Sequence, residues 1–170
     1  MRRHIHQHPE LSNQEFNTTK LVSNFLGDLD IPYTVCESGV GVVGYIHTDG
    51  AAKTIAIRAD MDAFPITEGA DLTYKSQKNG VMHACGHDMH TAVLIGTAKL
   101  LLDNRHLLNC NVKFIFQPEE EIMTGAKDLI AAGALQSPTV DAIIALHTSP
   151  DLSVGEIGIR HGAMLAASEA

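Results

Sequence analysis

The chain has 170 residues, of which 45% are hydrophobic and 19% are charged, a composition typical of a globular domain with a sizeable core. Its net charge of −8 argues against a nucleic-acid partner, and the sequence has no apolar run of the ~20 residues that a membrane span needs and no secretory signal after the N-terminal arginines. Three cysteines without paired spacing argue against a disulfide framework, so we expect a cytoplasmic protein.

The N-terminal half of the sequence predicts one helix and three strands. Ser12 and Glu15 have the spacing of a capping box, which predicts a helix start, and an apolar stripe at helical spacing continues from there to the next proline. The runs 33–36 and 40–46 are typical of strands, and glycines mark a turn or bulge near the start of the second run. A short buried strand is predicted over 54–59.

Strands and helices alternate in the C-terminal half. We predict helices over 88–102 and 124–132, strands over 111–116 and 140–146, and one further strand over 154–160. Alternation of this kind favours an α/β fold, here a mixed, mostly parallel sheet flanked by helices.

Metal-binding residue types follow the predicted strands or open a predicted helix. These residues are Asp60, Asp62, Cys85, His87, Asp88, Glu119, Glu120, Glu121 and His147. In open α/β sheets, ligands bind just beyond the carboxyl ends of the strands, which is where these side chains are expected to meet. Each segment alone has a simpler interpretation, such as a loop carboxylate, an acidic helix start or a small buried thiol. Their coincidence at one edge of the sheet favours a metal site.

The chemistry of this site has several interpretations. A structural zinc site would need four Cys or His ligands, whereas abundant carboxylates favour a hydrolytic centre in which a cation activates water and a carboxylate takes its proton. A serine hydrolase is disfavoured because no GxSxG motif occurs. The segment 39–44 matches GxGxxG, but strand rather than helix follows it, so we do not predict a dinucleotide site. A hydrolase with Cys85 as nucleophile beside His87 remains an alternative.

Five segments, in order along the chain, resemble the M20 metallopeptidase family and in particular its amidohydrolase branch. They are RHIHQHPELS (3–12), RADMDA (58–63), MHACGHD (82–88), FQPEEE (116–121) and LH (146–147). The resemblance implies that Cys85, His87, Glu121 and His147 are the metal ligands and that Glu120 is the general base. It also implies that Asp60, Asp62 and Asp88 orient those ligands.

The branch includes aminoacylase-like enzymes, hippurate hydrolases and N-acetyl-diaminopimelate deacetylases. The resemblance therefore implies hydrolysis of the amide bond of an N-acyl amino acid or a related small amide or peptide by water activated at two divalent ions, zinc or manganese, with cobalt as an alternative. The implied partner is a small-molecule substrate, with neither nucleic acid nor membrane. Members of the family are more than twice as long as this chain and insert a lid and dimerisation domain, which implies a homodimeric full-length enzyme.

The length of the chain suggests a further expectation. Residues 1–170 would form the N-terminal portion of the catalytic domain, without the lid and dimerisation domain and without the C-terminal part that supplies one last histidine ligand. We therefore expect the chain to be inactive by itself. The non-enzymatic alternative is a truncated metal-binding remnant or interaction module.

Overall fold

A five-stranded mixed sheet organises the computed structural model, which describes residues 1–162. The strands are β1 (Tyr33–Val35), β2 (Val42–Ile46), β3 (Thr54–Asp60), β4 (Asn111–Gln117) and β5 (Ala142–Ala145). The helices within the described residues are α1 (Arg2–Gln7), α2 (Phe16–Asp28), α3 (His87–Asp103) and α4 (Gly125–Ala131), with short 3-10 turns at Arg105–Leu107 and Glu120–Ile122. No helix in this part of the chain has both the length and the apolar character needed to span a membrane.

The order of the strands across the sheet is β1-β2-β4-β3-β5. β3 runs parallel to β4 and β5, whereas β2 runs antiparallel to β4 and β1, so four of the five strands point the same way. This confirms the predicted mixed, mostly parallel α/β sheet. The register pairs Asp60 with Gln117, so β3 and β4 end side by side and release their following loops at the same edge.

The main core lies between one face of the sheet and the helices α2 and α3. Phe114 and Phe116 of β4 are fully buried there, together with Val22 and Leu26 of α2 and Leu94 of α3. A smaller cluster around Leu129 of α4 covers part of the opposite face. The central strand β4 is buried along its whole length, whereas the edge strand β5 is exposed at all four positions. Burial of both faces explains why Phe114, Ile115 and Phe116 follow one another in β4.

Two sequence predictions were wrong in detail. Residues 154–160 form no strand and lie exposed, because they have no neighbouring strand among residues 1–162 with which to pair. The capping box is also wrong: α2 begins at Phe16, and the carboxylate of Glu10, not the hydroxyl of Ser12, accepts the free N–H groups of Asn17 and Thr18. Helix α1 was not predicted. The other predicted strands and the two later helices agree with the structure to within two residues at each end.

Candidate metal centre

The loops after β3, β4 and β5 meet the N-terminus of α3 at one edge of the sheet. Counting only residues 1–162, three groups of potential metal-binding atoms form there, each with all its atoms within 4.8 Å of one another. The groups are Cys85–His87–His147, His87–Glu120–Glu121 and Asp60–His87–His90. His87 belongs to all three groups and is therefore the centre of the cluster. The structure thus brings together all five residues for which the resemblance implied a metal-binding or proton-transfer role.

Two buried atoms at this centre face each other without a hydrogen bond. His87 Nε2 lies 3.4 Å from Glu121 Oε1, and within the described part of the chain neither atom has a hydrogen-bond partner. Leaving such polar atoms unsatisfied costs free energy, and a cation bound between them would remove that cost. Cys85 Sγ lies 3.2 Å from His147 Nε2 on the other side of the cluster. A set of one thiol, two imidazoles and carboxylates fits zinc and related divalent ions.

Asp62 connects three parts of the cluster. Its Oδ1 lies 3.2 Å from His87 Nδ1, while its Oδ2 accepts hydrogen bonds from the backbone N–H of Glu121 at 3.0 Å and from the hydroxyl of Ser12 at 2.7 Å. Burial favours a raised pKa for Asp62, but the hydrogen bonds from His87 and Glu121 outweigh it and lower that pKa. An ionised Asp62 fixes the proton of His87 on Nδ1 and leaves Nε2 free to bind a cation.

Asp60 plays a comparable part beside His90. Asp60 Oδ1 lies 2.6 Å from His90 Nδ1, and Asp60 Oδ2 accepts a hydrogen bond from Arg58 at 2.7 Å and lies 3.6 Å from His87 Nε2. Although burial opposes it, the bond to His90 and the charges of His87 and Arg58 lower the pKa of Asp60 to about 2. His90 Nε2 accepts the backbone N–H of Thr148, which ties the loop after β5 to α3. No sequence pattern indicated this link, because its two residues lie 58 positions apart along the chain.

Cys85 is a poor nucleophile in this environment. Burial, followed by the carboxylates of Glu121, Asp60 and Glu120, raises the pKa of the Cys85 thiol to about 12. A nucleophilic cysteine needs the thiolate, which positive neighbours stabilise and carboxylates disfavour. A bound divalent cation would deprotonate the same thiol, so the environment suits a ligand better than a nucleophile.

The three glutamates after β4 differ in exposure. Burial, together with the charges of Glu120 and Asp62, raises the pKa of Glu121, with His87 opposing the shift. The side chain of Glu120 is 39% exposed, and its Oε2 lies 3.9 Å from His87 Nε2. Glu121 therefore faces inward, whereas Glu120 lies at the mouth of the cluster. Glu119 is buried, and its carboxylate accepts a hydrogen bond from Thr124.

Asp88 lies behind the cluster rather than in it. Its Oδ2 accepts hydrogen bonds from Arg2 Nε at 2.6 Å and lies 2.9 Å from His6 Nδ1, so these bonds go to α1 and not to a candidate ligand. His6 Nε2 lies 3.0 Å from Glu68 Oε1. Sequence analysis did not find the contacts of Arg2, His6 and Glu68, because the partners lie more than 60 residues apart along the chain.

Comparison with known proteins identifies the family. The model of "Peptidase family M20/M25/M40" matches residues 56–164, which is more than half of the chain. The chain belongs to this family. It is 47% identical to the N-acetylcysteine deacetylase of Bacillus subtilis (strain 168), over 98% of this chain and 43% of that protein. It is also 44% identical to the IAA-amino acid hydrolase ILR1-like 5 of Arabidopsis thaliana, over 99% of this chain and 38% of that protein.

A solved M20 structure shares the fold. The Bacillus subtilis YXEP protein, a dinuclear metal binding peptidase from the M20 family, superimposes with a TM-score of 0.91 at 47% identity, over 95% of this chain and 45% of that one. These findings confirm the predicted family and the fold of the M20 catalytic domain. The chain spans less than half the length of the M20 relatives it matches.

Proposed function

We propose that this chain contributes the metal centre of an M20-type hydrolase that cleaves the amide bond of N-acyl amino acids, and that residues 1–170 are the N-terminal portion of its catalytic domain. The observation that carries the proposal is the buried pair His87 Nε2 and Glu121 Oε1, which lie 3.4 Å apart and have no hydrogen-bond partner among residues 1–162. A buried carboxylate and imidazole without hydrogen-bond partners contribute little to the stability of the fold, but both are well placed to bind a cation.

Each residue of the cluster has a distinct part in this proposal. Cys85, His87, Glu121 and His147 hold two divalent ions, zinc or manganese, which when bound polarise the substrate carbonyl and make water a stronger nucleophile. Glu120, half-exposed at the mouth, accepts the proton of the attacking water and then donates it to the leaving amine. Asp62 holds His87 and the backbone of Glu121 in place while this occurs.

The substrate class is supported by the relatives. An N-acetylcysteine deacetylase and an IAA-amino acid hydrolase are named for substrates in which an acyl group is joined to an amino acid. Removing the acyl group from such a substrate breaks a single amide bond, which matches the chemistry proposed for Glu120. The three cysteines are free thiols, which suits the cytoplasm, and we propose that the protein acts there.

The chain by itself we expect to bind metal without turnover. His147 is exposed, and Glu120 is open to solvent at the mouth of the cluster. Water is therefore not excluded from the reacting groups, whereas hydrolytic sites gain much of their electrostatic strength from such exclusion. Metal binding without turnover is also the expected behaviour of the alternative function, a metal-binding remnant or interaction module.

The test is the metal content of the purified chain and of variants, measured alongside hydrolysis of a panel of N-acetyl amino acids. We expect Glu121→Ala and His147→Ala to lose bound metal, whereas the matched controls Glu37→Ala and His106→Ala, which replace exposed residues, retain it. If all four variants retain the metal of the wild-type chain, the cluster is not the metal centre. Turnover by the wild-type chain would contradict its expected inactivity, and if that turnover persisted in Glu120→Gln, Glu120 would not be the general base.

A further inference from the structure

Four side chains near the N-terminus contact three of the four segments that form the cluster, namely the loop after β3, the loop after β4 and the first turn of α3. We call these side chains the N-terminal brace: Arg2, His6, Ser12 and Glu15. Arg2 and His6 bond to Asp88, next to His87; Ser12 bonds to Asp62; and Glu15 bonds to the backbone of Glu119. None of the four is a candidate metal ligand. Their contacts span 50 to 104 residues of sequence.

Glu15 makes the longest of these connections. Its Oε1 accepts a hydrogen bond from the backbone N–H of Glu119 at 2.8 Å, and its Oε2 has no hydrogen-bond partner in the region that the structure describes, although the side chain is fully buried. Glu119 has a φ of 57°, a left-handed conformation that is strained for a glutamate. The hydrogen bond from the Glu119 N–H to Glu15 stabilises this strained conformation. The conformation of Glu119 in turn determines the direction in which the backbone continues into Glu120 and Glu121.

The environment of Glu15 shows that this bond is kept at a cost. Burial, together with the nearby carboxylates of Asp62 and Glu119, raises the pKa of Glu15 to about 7. A buried acid in such surroundings is a weak source of stability, and an apolar side chain would pack there without that cost. The bond to Glu119 is the contact that an apolar side chain could not make.

The other members of the brace contact the loop after β3 and the first turn of α3. The hydroxyl of Ser12 donates a hydrogen bond to the carboxylate of Asp62. The same carboxylate contacts His87 Nδ1 and the backbone N–H of Glu121. On the opposite side, His6 lies between Asp88 and Glu68, with its two ring nitrogens 2.9 and 3.0 Å from their carboxylates. This arrangement fixes the first turn of α3, where His87 is located.

We propose that the N-terminal brace positions the metal centre, and that Glu15 is the positioning residue for the acidic loop 119–121. The inference rests on the proposed function, because it concerns the same centre. It adds that residues outside the centre set its geometry, so that their loss weakens metal binding without removing a ligand. Residues that orient metal ligands affect metal affinity in this way, typically by about 10–100-fold.

The experiment compares Glu15→Leu, Glu15→Gln and Glu10→Leu with the wild-type 170-residue chain. Glutamine keeps a carbonyl acceptor for the Glu119 N–H, and leucine does not. Glu10 is the matched control, because it is a buried carboxylate of the same segment that caps α2 and whose side chain contacts no candidate ligand loop. Two quantities are measured: zinc affinity by competition with a chromophoric chelator, and hydrogen exchange of the segment 116–124 in metal-free protein.

We expect Glu15→Leu to lower zinc affinity by about 10–100-fold and to speed exchange in segment 116–124, and Glu15→Gln to stay within about threefold of wild type. Glu10→Leu should lower the unfolding midpoint while leaving both measurements unchanged. Should Glu15→Leu fail to fold, Ser12→Ala takes its place, with zinc affinity reduced through Asp62.

The inference is overturned if Glu15→Leu matches wild type, or if Glu10→Leu weakens zinc binding as much as Glu15→Leu does. A wild-type chain that binds no zinc would refute the proposed function, and the exchange measurement would then decide the inference separately. Faster exchange in Glu15→Leu alone would still support the brace, and unchanged exchange would overturn it.

Discussion

Replacing Glu15 with glutamine should change how the stability of the protein depends on pH. Burial raises the pKa of Glu15 from 4.5 to about 7 in the folded state. Because the folded pKa lies above the unfolded one, the stability that this group contributes is complete below pH 4.5 and is lost as the pH rises through 7. At about 1.4 kcal/mol per pKa unit, the whole shift corresponds to roughly 3 kcal/mol, of which about 2 kcal/mol falls between pH 5 and pH 8 because the unfolded carboxyl is already largely ionised at pH 5.

The assay is urea unfolding of wild type and Glu15→Gln in chelator at pH 5 and pH 8. Glutamine does not titrate, so the variant should gain about 2 kcal/mol relative to wild type between the two pH values. Other titrating groups, including His83, contribute equally to both proteins and cancel in this difference. Equal pH dependence in the two proteins would refute the raised pKa of Glu15 and, with it, the view that the side chain is buried as a neutral acid.

Three further predictions concern the loops of the centre. Gly86 has a φ of 88°, and a Cβ there would lie 2.5 Å from Thr148 Oγ1, so Gly86→Ala should destabilise the protein by about 1–3 kcal/mol in urea unfolding; an unchanged midpoint would contradict this. Asp62→Asn, which loses one of the acceptors for His87 and Glu121, should lower zinc affinity by about 10–100-fold in a chelator competition, and full affinity would count against its orienting role. Burial lowers the pKa of His83 to about 4, so the wild-type protein loses stability as the pH falls from 6.5 towards 4. The variant His83→Leu should lack about 2 kcal/mol of this loss at pH 5, and urea unfolding at pH 7 and pH 5 would measure the difference.

The fold was largely predictable because its strands carry strong local signals. β3 and β4 are rich in apolar residues, β3 ends at Asp60, and the acidic run 119–121 begins two residues after the end of β4. The helix that begins at His87 is long and rich in aliphatic residues. Residues 154–160 also have a strand-like sequence pattern, but they have no partner strand in residues 1–162. Whether such a segment forms a strand depends on the neighbouring strands of the sheet and not only on its own sequence.

The cluster itself was predictable because its residues follow the ends of neighbouring strands, where the topology of the sheet brings them together. The brace was not, because its contacts are long-range and carry no local pattern. Ser12 and Glu15 illustrate the reason: their spacing matches a helix cap, yet their side chains bond to Asp62 and to the backbone of Glu119. A local motif and a tertiary contact can use the same residues, and the sequence alone does not distinguish them.

The distance along the chain between the brace and its partners has a consequence for folding order. Glu15 cannot reach Glu119, which lies 104 positions further along the chain, until the chain has been synthesised to that point and β3 has paired with β4. Contacts of such high sequence separation form late, after the loop-closure entropy has been overcome by strand pairing. The metal centre therefore becomes ordered only once the sheet is complete. During synthesis, the thiol and imidazole side chains would be able to bind metal ions in a disordered chain before the ordered site has formed.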